Sequence, residues 1–311
     1  MAYFKYLVLL LLLVNVSAKV NAQAITAPGS YDFSLEHGGR QRSFRVYVPE
    51  AYTRTGDPLP LVIAMHGASG SGAWMEELTQ FSELAEAYGF IAAYPDGVYG
   101  IWADGRVGDE RVPADLDDVD FIAVMIDQIA QRLRVDTDRM YASGYSMGGM
   151  MAFRLGCELP DKIAAVASVA STFPGYLLEA CNPSAPVPVL VIQGTEDDVI
   201  PWQGIWRNNI PIYLSTAQTA AYWGEHNGCT GEPLLVQGLD LVPDDGTVVR
   251  QVVYTGCLQD AGVEILAVIG GGHTWPGSRL SARFGKTSFD VYASPAIWRF
   301  FEPHRLSRDD S

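Results

Sequence analysis

The chain has 311 residues, a net charge of −15 and 48% hydrophobic residues. It carries 36 acidic against 21 basic residues, and no basic stripe is available to neutralise phosphates, which excludes nucleic acid as a partner. No linker, low-complexity tract or internal repeat divides the chain, and a single α/β domain routinely reaches about 250 residues. Residues 23–311 are therefore expected to form one domain.

The amino terminus opens with a lone Lys5, an apolar run from Tyr6 to Val16 and small residues around Ala18 and Ala22. This is the layout of a secretory signal peptide over residues 1–22, with cleavage after Ala18 or Ala22. The run falls short of the roughly 18 apolar residues that span a bilayer. The mature protein is expected to be secreted or periplasmic, with no membrane partner.

Tyr31 to Leu35 and Ser43 to Val48 flank His37-Gly38-Gly39 and predict an antiparallel hairpin, with Phe33, Phe44 and Val46 facing inward. Pro60 to Met65 is a continuous apolar strand. Met75 to Tyr88 predicts one amphipathic helix through Leu78, Phe81, Leu84 and Ala85, and Phe90 to Tyr94 predicts the next strand. The acids Asp104, Asp109, Glu110, Asp115, Asp117, Asp118 and Asp120 lack the ligand order of a calcium loop and suggest a solvated loop. It leads into a helix from Asp118 to Leu133, capped by Asp117 or Asp118, with Phe121, Val124, Met125 and Ile129 as its apolar stripe.

Arg139 to Ser143 reads as a short buried strand and Met147 to Leu155 as a helix. Between them lies Gly144-Tyr145-Ser146-Met147-Gly148, a G-x-S-x-G elbow that pushes the serine hydroxyl out of the sheet and places it at a helix N-terminus. Strands at Ile163 to Val169, Val187 to Ile192 and Val263 to Val268 follow, with helices around Ser215 to Glu225 and Pro295 to Phe301. Buried strands alternating with helices imply a mainly parallel sheet covered on both faces, and after an antiparallel start this is the α/β-hydrolase order.

A serine nucleophile needs a neutral imidazole to take its proton and a carboxylate to orient the ring. His37, His226 and His304 lie in a turn, a helix end and the tail, and His66 beside the first buried strand suits a role in shaping its loop. His273, in Gly270-Gly271-Gly272-His273, follows the last strand in a glycine-rich loop and is the candidate base. Glu196, Asp197 and Asp198 lie directly beyond a buried strand, in the chain order of this fold; Asp197 is the candidate acid, although position alone leaves three adjacent carboxylates. Backbone N–H groups of Met147 and Ala68 are the candidate oxyanion donors. Nothing in this chemistry calls for a metal or an organic cofactor.

Four cysteines in an exported chain, with no C-x-x-C, imply two disulfides. Three connectivities exist, and sequence alone does not choose among them. Joining Cys157 to Cys181 and Cys229 to Cys257 gives each a loop of roughly 25 residues, for which chain entropy predicts about 3 kcal/mol.

Through MHGASGSGAW, YPDGVYGIWADGR, DDVDFI, GYSMGGMMAFRL, QGTEDDVIPW and GGGHTWPG, the chain from about Arg45 to Arg299 resembles the secreted esterases grouped with polyhydroxybutyrate depolymerases and feruloyl or acetylxylan esterases. The resemblance implies a triad of Ser146, Asp197 and His273 and the same two cysteine pairs. The chain departs from that family in having Gln193 where His often precedes G-T, and Trp202 where Tyr often stands. Among the aromatics near the expected rim, Tyr145 and Trp202 are the candidate substrate-binding residues, and ordinary packing is expected of Trp74 and Trp275.

The expected activity is hydrolysis of a carboxylic ester, on a small molecule or oligomer, through an acyl-enzyme. Feruloyl or acetyl esters of plant saccharides come ahead of hydroxybutyrate oligomers, because no tethered binding module is visible. A serine peptidase and a catalytically silent binding protein are the competing readings; oligomeric state has no signature in the sequence.

Overall fold

A computed structural model describes residues 25–307 apart from 107, 108, 237 and 239, so the signal-peptide segment lies outside the described residues. Its centre is a ten-stranded sheet. The first two strands are β1 (Gly29–His37) and β2 (Arg40–Val48), which form the expected hairpin with Phe33 opposite Phe44. Next come β3 (Leu59–Met65), β4 (Ile91–Pro95), β5 (Val135–Tyr145), β6 (Ala165–Val169) and β7 (Val189–Gly194). The outer strands β8 (Ile205–Arg207) and β9 (Ile210–Tyr213) make a separate hairpin, and β10 (Leu234–Val236), β11 (Val248–Tyr254) and β12 (Val263–Ile269) complete the main sheet.

The sheet order is β1-β2-β4-β3-β5-β6-β7-β12-β11-β10. The six strands from β4 to β12 run parallel, and the antiparallel pairs lie at both ends. Side chains alternate across the parallel strands, so both faces need cover. Leu61, Ile63 and Met65 of β3 join one core with α4 (Asp118–Ala130), α5 (Met147–Glu158) and α6 (Thr216–His226), while Val62 and Ala64 join the other. That second layer is built by α2 (Gly72–Thr79), α3 (Phe81–Tyr88) and α7 (Ala293–Phe301). The short α1 (Ala51–Thr55) packs Ala51 and Tyr52 into the first core.

The expected single helix from Met75 to Tyr88 is two helices. Gln80 adopts a left-handed φ of 52°, its N–H closing α2 on the Glu76 carbonyl, and the Thr79 hydroxyl accepts the Phe81 N–H. Met75, Leu78, Phe81 and Ala85 are all buried across the break, so the apolar period survives while the axis changes. In α4 the Asp117 carboxylate caps the helix by accepting the Val119 and Asp120 N–H groups. Val124 is exposed, and the stripe runs instead through Phe121, Ile122, Met125, Ile126 and Ile129.

The acidic segment is not a wholly solvated loop. Asp118 is fully buried, taking hydrogen bonds from Arg42 at 2.6 Å and from the Ala103 N–H at 2.7 Å, and buried Asp104 pairs with Arg106 at 2.6 Å. Sequence composition marks the charge of such a segment but not the arginines that cross to it from another strand.

Both cysteine pairs form as the loop lengths favour: Cys157 joins Cys181 and Cys229 joins Cys257. The first ties the end of α5 to the segment after β6, and the second fastens the loop after α6 to the end of β11. Among the described residues, no helix is long and apolar enough to cross a membrane.

Candidate active site

Ser146 occupies the one-residue turn between β5 and α5, with φ 55° and ψ −119°. A non-glycine residue held there stores backbone strain, and the neighbouring glycines show what enforces it. A Cβ on Gly144 would lie 2.1 Å from the Gly148 carbonyl oxygen, and one on Gly148 would lie 2.1 Å from the Met65 carbonyl oxygen. Strand, elbow and helix therefore approach too closely for any side chain, and the chain turns sharply enough to project the serine from the carboxyl end of the sheet.

The other partners arrive from neighbouring strands at the same end. After β7, Thr195 N–H donates to the Val268 carbonyl and Glu196 N–H to the Gly271 carbonyl, both at 2.9 Å, which fastens the acid loop to the loop after β12. His273 lies in that second loop, its N–H donating to the Phe284 carbonyl at 3.0 Å. Its Nε2 is 2.9 Å from Ser146 Oγ and its Nδ1 is 2.8 Å from Asp197 Oδ2.

An ionised carboxylate only accepts, so the Nδ1 of His273 carries the proton and Nε2 presents a lone pair to the serine hydroxyl. Asp197 is buried, its Oδ1 accepting the Val199 and Ile200 N–H groups at 2.9 and 2.8 Å. Its Oδ2 also accepts from Gln193 Nε2 at 3.0 Å, and the same amide donates to the Ile200 carbonyl at 2.7 Å. Gln193 is thus a support for the acid that the sequence analysis did not assign. A polar residue inside an otherwise apolar strand, four positions before the acid, was its available signal. Of the competing acids, Asp198 is exposed and Glu196 faces Lys286 at 3.4 Å, so the structure brings Asp197 alone to the histidine.

The remaining histidines are placed elsewhere. His37 pairs with Asp120 at 2.8 Å, His226 lies 3.4 Å from the Ala185 carbonyl, and half-buried His304 lies tilted against the Phe300 ring. His66 is fully buried beneath the loop after β3. Its Nε2 must accept the Gly97 N–H at 2.9 Å, so Nδ1 is the protonated nitrogen and donates to the Gly67 carbonyl at 2.8 Å. Burial lowers its pKa from the ordinary histidine value, which keeps this neutral tautomer in place.

In the turn that His66 supports, Ser69 N–H is committed to the Gly100 carbonyl and Gly70 N–H to the Gly67 carbonyl. Ala68 stands at the exposed side of the turn on the wall of the serine cavity, and Met147 opens α5, where the first N–H groups have no partner within the helix. The two candidate oxyanion donors therefore flank Ser146 from separate elements.

The cavity above Ser146 has a volume of about 450 Å³. Its walls are the 67–71 turn, Trp74, Tyr145, Val199, His273, Arg283 and Phe284. Tyr145 is on the wall as expected, but its hydroxyl is already used, donating to the His273 carbonyl at 2.7 Å. Burial raises that hydroxyl well above the ordinary tyrosine pKa, the Asp197 charge adding to the effect and Arg283 opposing it. The expectation for Trp202 fails: it is half-buried against the core of the α5 face, and Val199 is what the acid loop contributes to the wall. Trp74, expected to be packing, takes the aromatic place instead, its ring 5.8 Å from that of Tyr145. Trp275 is buried, as expected.

Over 257 residues the chain is 32% identical to the putative esterase NocK of Nocardia uniformis subsp. tsuyamanensis, covering 79% of this chain and 74% of that protein. It belongs to an esterase family of the α/β-hydrolase fold. The alpha/beta hydrolase fold family matches residues 60–185 of this esterase, from β3 through the elbow to the residues after Cys181. The esterase is also 31% identical over 240 residues to feruloyl esterase B of Piromyces equi, where the match spans 75% of this chain but only 43% of that protein. Among solved structures, an acetyl xylan esterase from Aspergillus awamori superimposes with a TM-score of 0.56 over 78% of this chain and 94% of that one; at 16% identity it attests the fold.

Proposed function

We propose that the protein is an exported serine esterase that cleaves feruloyl or acetyl esters of plant saccharides through an acyl-enzyme. The observation that carries the reading is the unbroken relay Asp197–His273–Ser146, with heavy-atom separations of 2.8 and 2.9 Å, at the base of an open cavity. Ser146 attacks the ester carbonyl while His273 Nε2 takes its proton, and Asp197 stabilises the imidazolium that forms. The negative oxygen is received by the Met147 and Ala68 N–H groups, each such donor being worth roughly 3 to 4 kcal/mol. His273 then protonates the departing alcohol, and water releases the acyl group by the reverse route. The two disulfides support an oxidising compartment, in keeping with the leader-like amino terminus.

The substrate class draws on the relatives named for feruloyl esters and on the wall formed by Trp74 and Tyr145, which suits a planar aromatic acyl group. The test is kcat/KM for methyl ferulate, p-nitrophenyl acetate, a hydroxybutyrate trimer and a peptide anilide. Trp74→Ala is expected to cut the ferulate-to-acetate ratio by up to about tenfold, the worth of a stacked aromatic pair, while Trp202→Ala leaves it unchanged. A preference for the trimer that survives Trp74→Ala would move the assignment to hydroxyalkanoate esters, and faster cleavage of the anilide would make the protein a peptidase.

A further inference from the structure

Arg283 lies in the 3₁₀ turn Arg279–Phe284, and both it and Phe284 stand on the wall of the Ser146 cavity. Among the described residues that line this cavity, it is the one side chain of fixed charge. In an acid-rich chain several arginines near the surface find a carboxylate: Arg40 has Asp115, Arg45 has Asp32 and Arg111 has Asp109. The neighbouring Lys286 faces Glu196. No ion pair among the described residues engages Arg283, whose guanidinium instead rests 4.6 Å from the centre of the Phe284 ring.

The position also fixes which half of an ester would meet it. The Phe284 carbonyl holds the His273 N–H, and the Phe284 ring stands edge-on to the imidazole at 6.2 Å, so the Arg283–Phe284 pair flanks the base. The leaving oxygen collects its proton from His273 Nε2, and the alcohol half therefore departs along this wall. We propose that Arg283 is a specificity-determining residue that binds a carboxylate on the alcohol half of the ester, the chemistry of a saccharide bearing a uronic acid. The inference rests on the esterase reading above. A net charge of −15 repels anions at long range, and an unpaired guanidinium with a bidentate donor face offsets that repulsion at the site itself.

The test compares kcat/KM for 3-acetoxybenzoate and for 3-acetoxybenzamide, which share the acyl group and the single scissile ester and differ in the charge on the alcohol half. The neutral ester is the reference within each protein. Because the guanidinium is exposed, the charged-to-neutral ratio is expected to fall about fivefold in Arg283→Gln and further in Arg283→Glu. In the unsubstituted protein the same ratio should fall as salt rises from about 0.01 M to about 0.1 M, over which the screening length shortens from about 30 to about 10 Å. A ratio insensitive to both substitutions and to salt, with the neutral ester still hydrolysed, overturns the role of Arg283 and leaves the esterase reading standing. Failure of the unsubstituted protein to hydrolyse either ester overturns both.

Discussion

Replacing Gly148 by alanine tests whether the elbow is held by close backbone packing. The new Cβ would begin 2.1 Å from the Met65 carbonyl oxygen and 2.7 Å from that of His66. Both are backbone atoms at the end of β3, with no rotamer to yield, so helix and strand must separate by about 1 Å to reach an ordinary contact. Overpacking of this kind costs about 3 kcal/mol at the upper end of its usual range. For a domain of this size that corresponds to a fall of roughly 6–12 °C in Tm. The separation also moves Ser146 away from the Ala68 turn, and displacement on this scale at a reacting group costs about 100-fold in rate.

Gly156→Ala, in the same helix, is the internal comparison: its Cβ meets only side chains, the nearest being Val166 Cγ1 at 3.1 Å. The gain of about 1 kcal/mol in helix propensity offsets that contact, and stability should stay within about 1 kcal/mol of the parent. Melting curves and p-nitrophenyl acetate hydrolysis well below Tm provide the readout. A Gly148→Ala protein with parental Tm and turnover would refute the argument that contact with the end of β3 fixes the elbow.

Asp197→Asn should lower kcat by about 10⁴-fold by favouring the wrong imidazole tautomer, while Asp198→Asn, at an exposed position, should stay near the parent; the reverse ordering in steady-state kinetics would move the acid by one residue. Removing the Cys157–Cys181 bridge by double serine substitution frees a segment with a sequence separation of 24, which chain entropy values at about 3 kcal/mol, and an unchanged urea midpoint would contradict this. His66 has a lowered pKa when folded, so as pH falls through about 6.5 the unfolded chain binds a proton that the folded chain refuses, and stability drops. His66→Gln keeps an acceptor for the Gly97 N–H without titrating, and the loss of stability between pH 8 and pH 5 should shrink; an equal loss in both proteins would remove His66 as a cause.

The chemistry was legible where it is local. The elbow carries its own geometry in Gly144, Ser146 and Gly148, and a glycine-rich loop after the last parallel strand announces His273. Position alone left Asp197 beside Asp198, and only the resemblance chose between them; physically the choice depends on which carboxylate turns back over Gln193 to accept the Val199 and Ile200 N–H groups. The exchange of Trp202 for Trp74 has the same origin. Nearness to the acid in sequence does not decide which side of the acid loop faces the cavity, whereas Ser71 caps α2 and delivers Trp74 to the wall from a segment ahead of the elbow. The break at Gln80 carries neither glycine nor proline to mark it. Strands β10 and β11 lie at an antiparallel edge: β10 is three exposed residues, too short to read as a strand, and β11 is only partly buried, its apolar residues interrupted by Arg250 and Gln251.

The central claim is that Ser146 is the nucleophile of an ester hydrolase, and covalent labelling by a fluorophosphonate, followed by peptide mass spectrometry, addresses it most directly. The account predicts one adduct per chain, on Ser146, formed in step with loss of ester hydrolysis and absent from Ser146→Ala. Labelling at another residue, or hydrolysis that continues in Ser146→Ala at the parental rate, would contradict it.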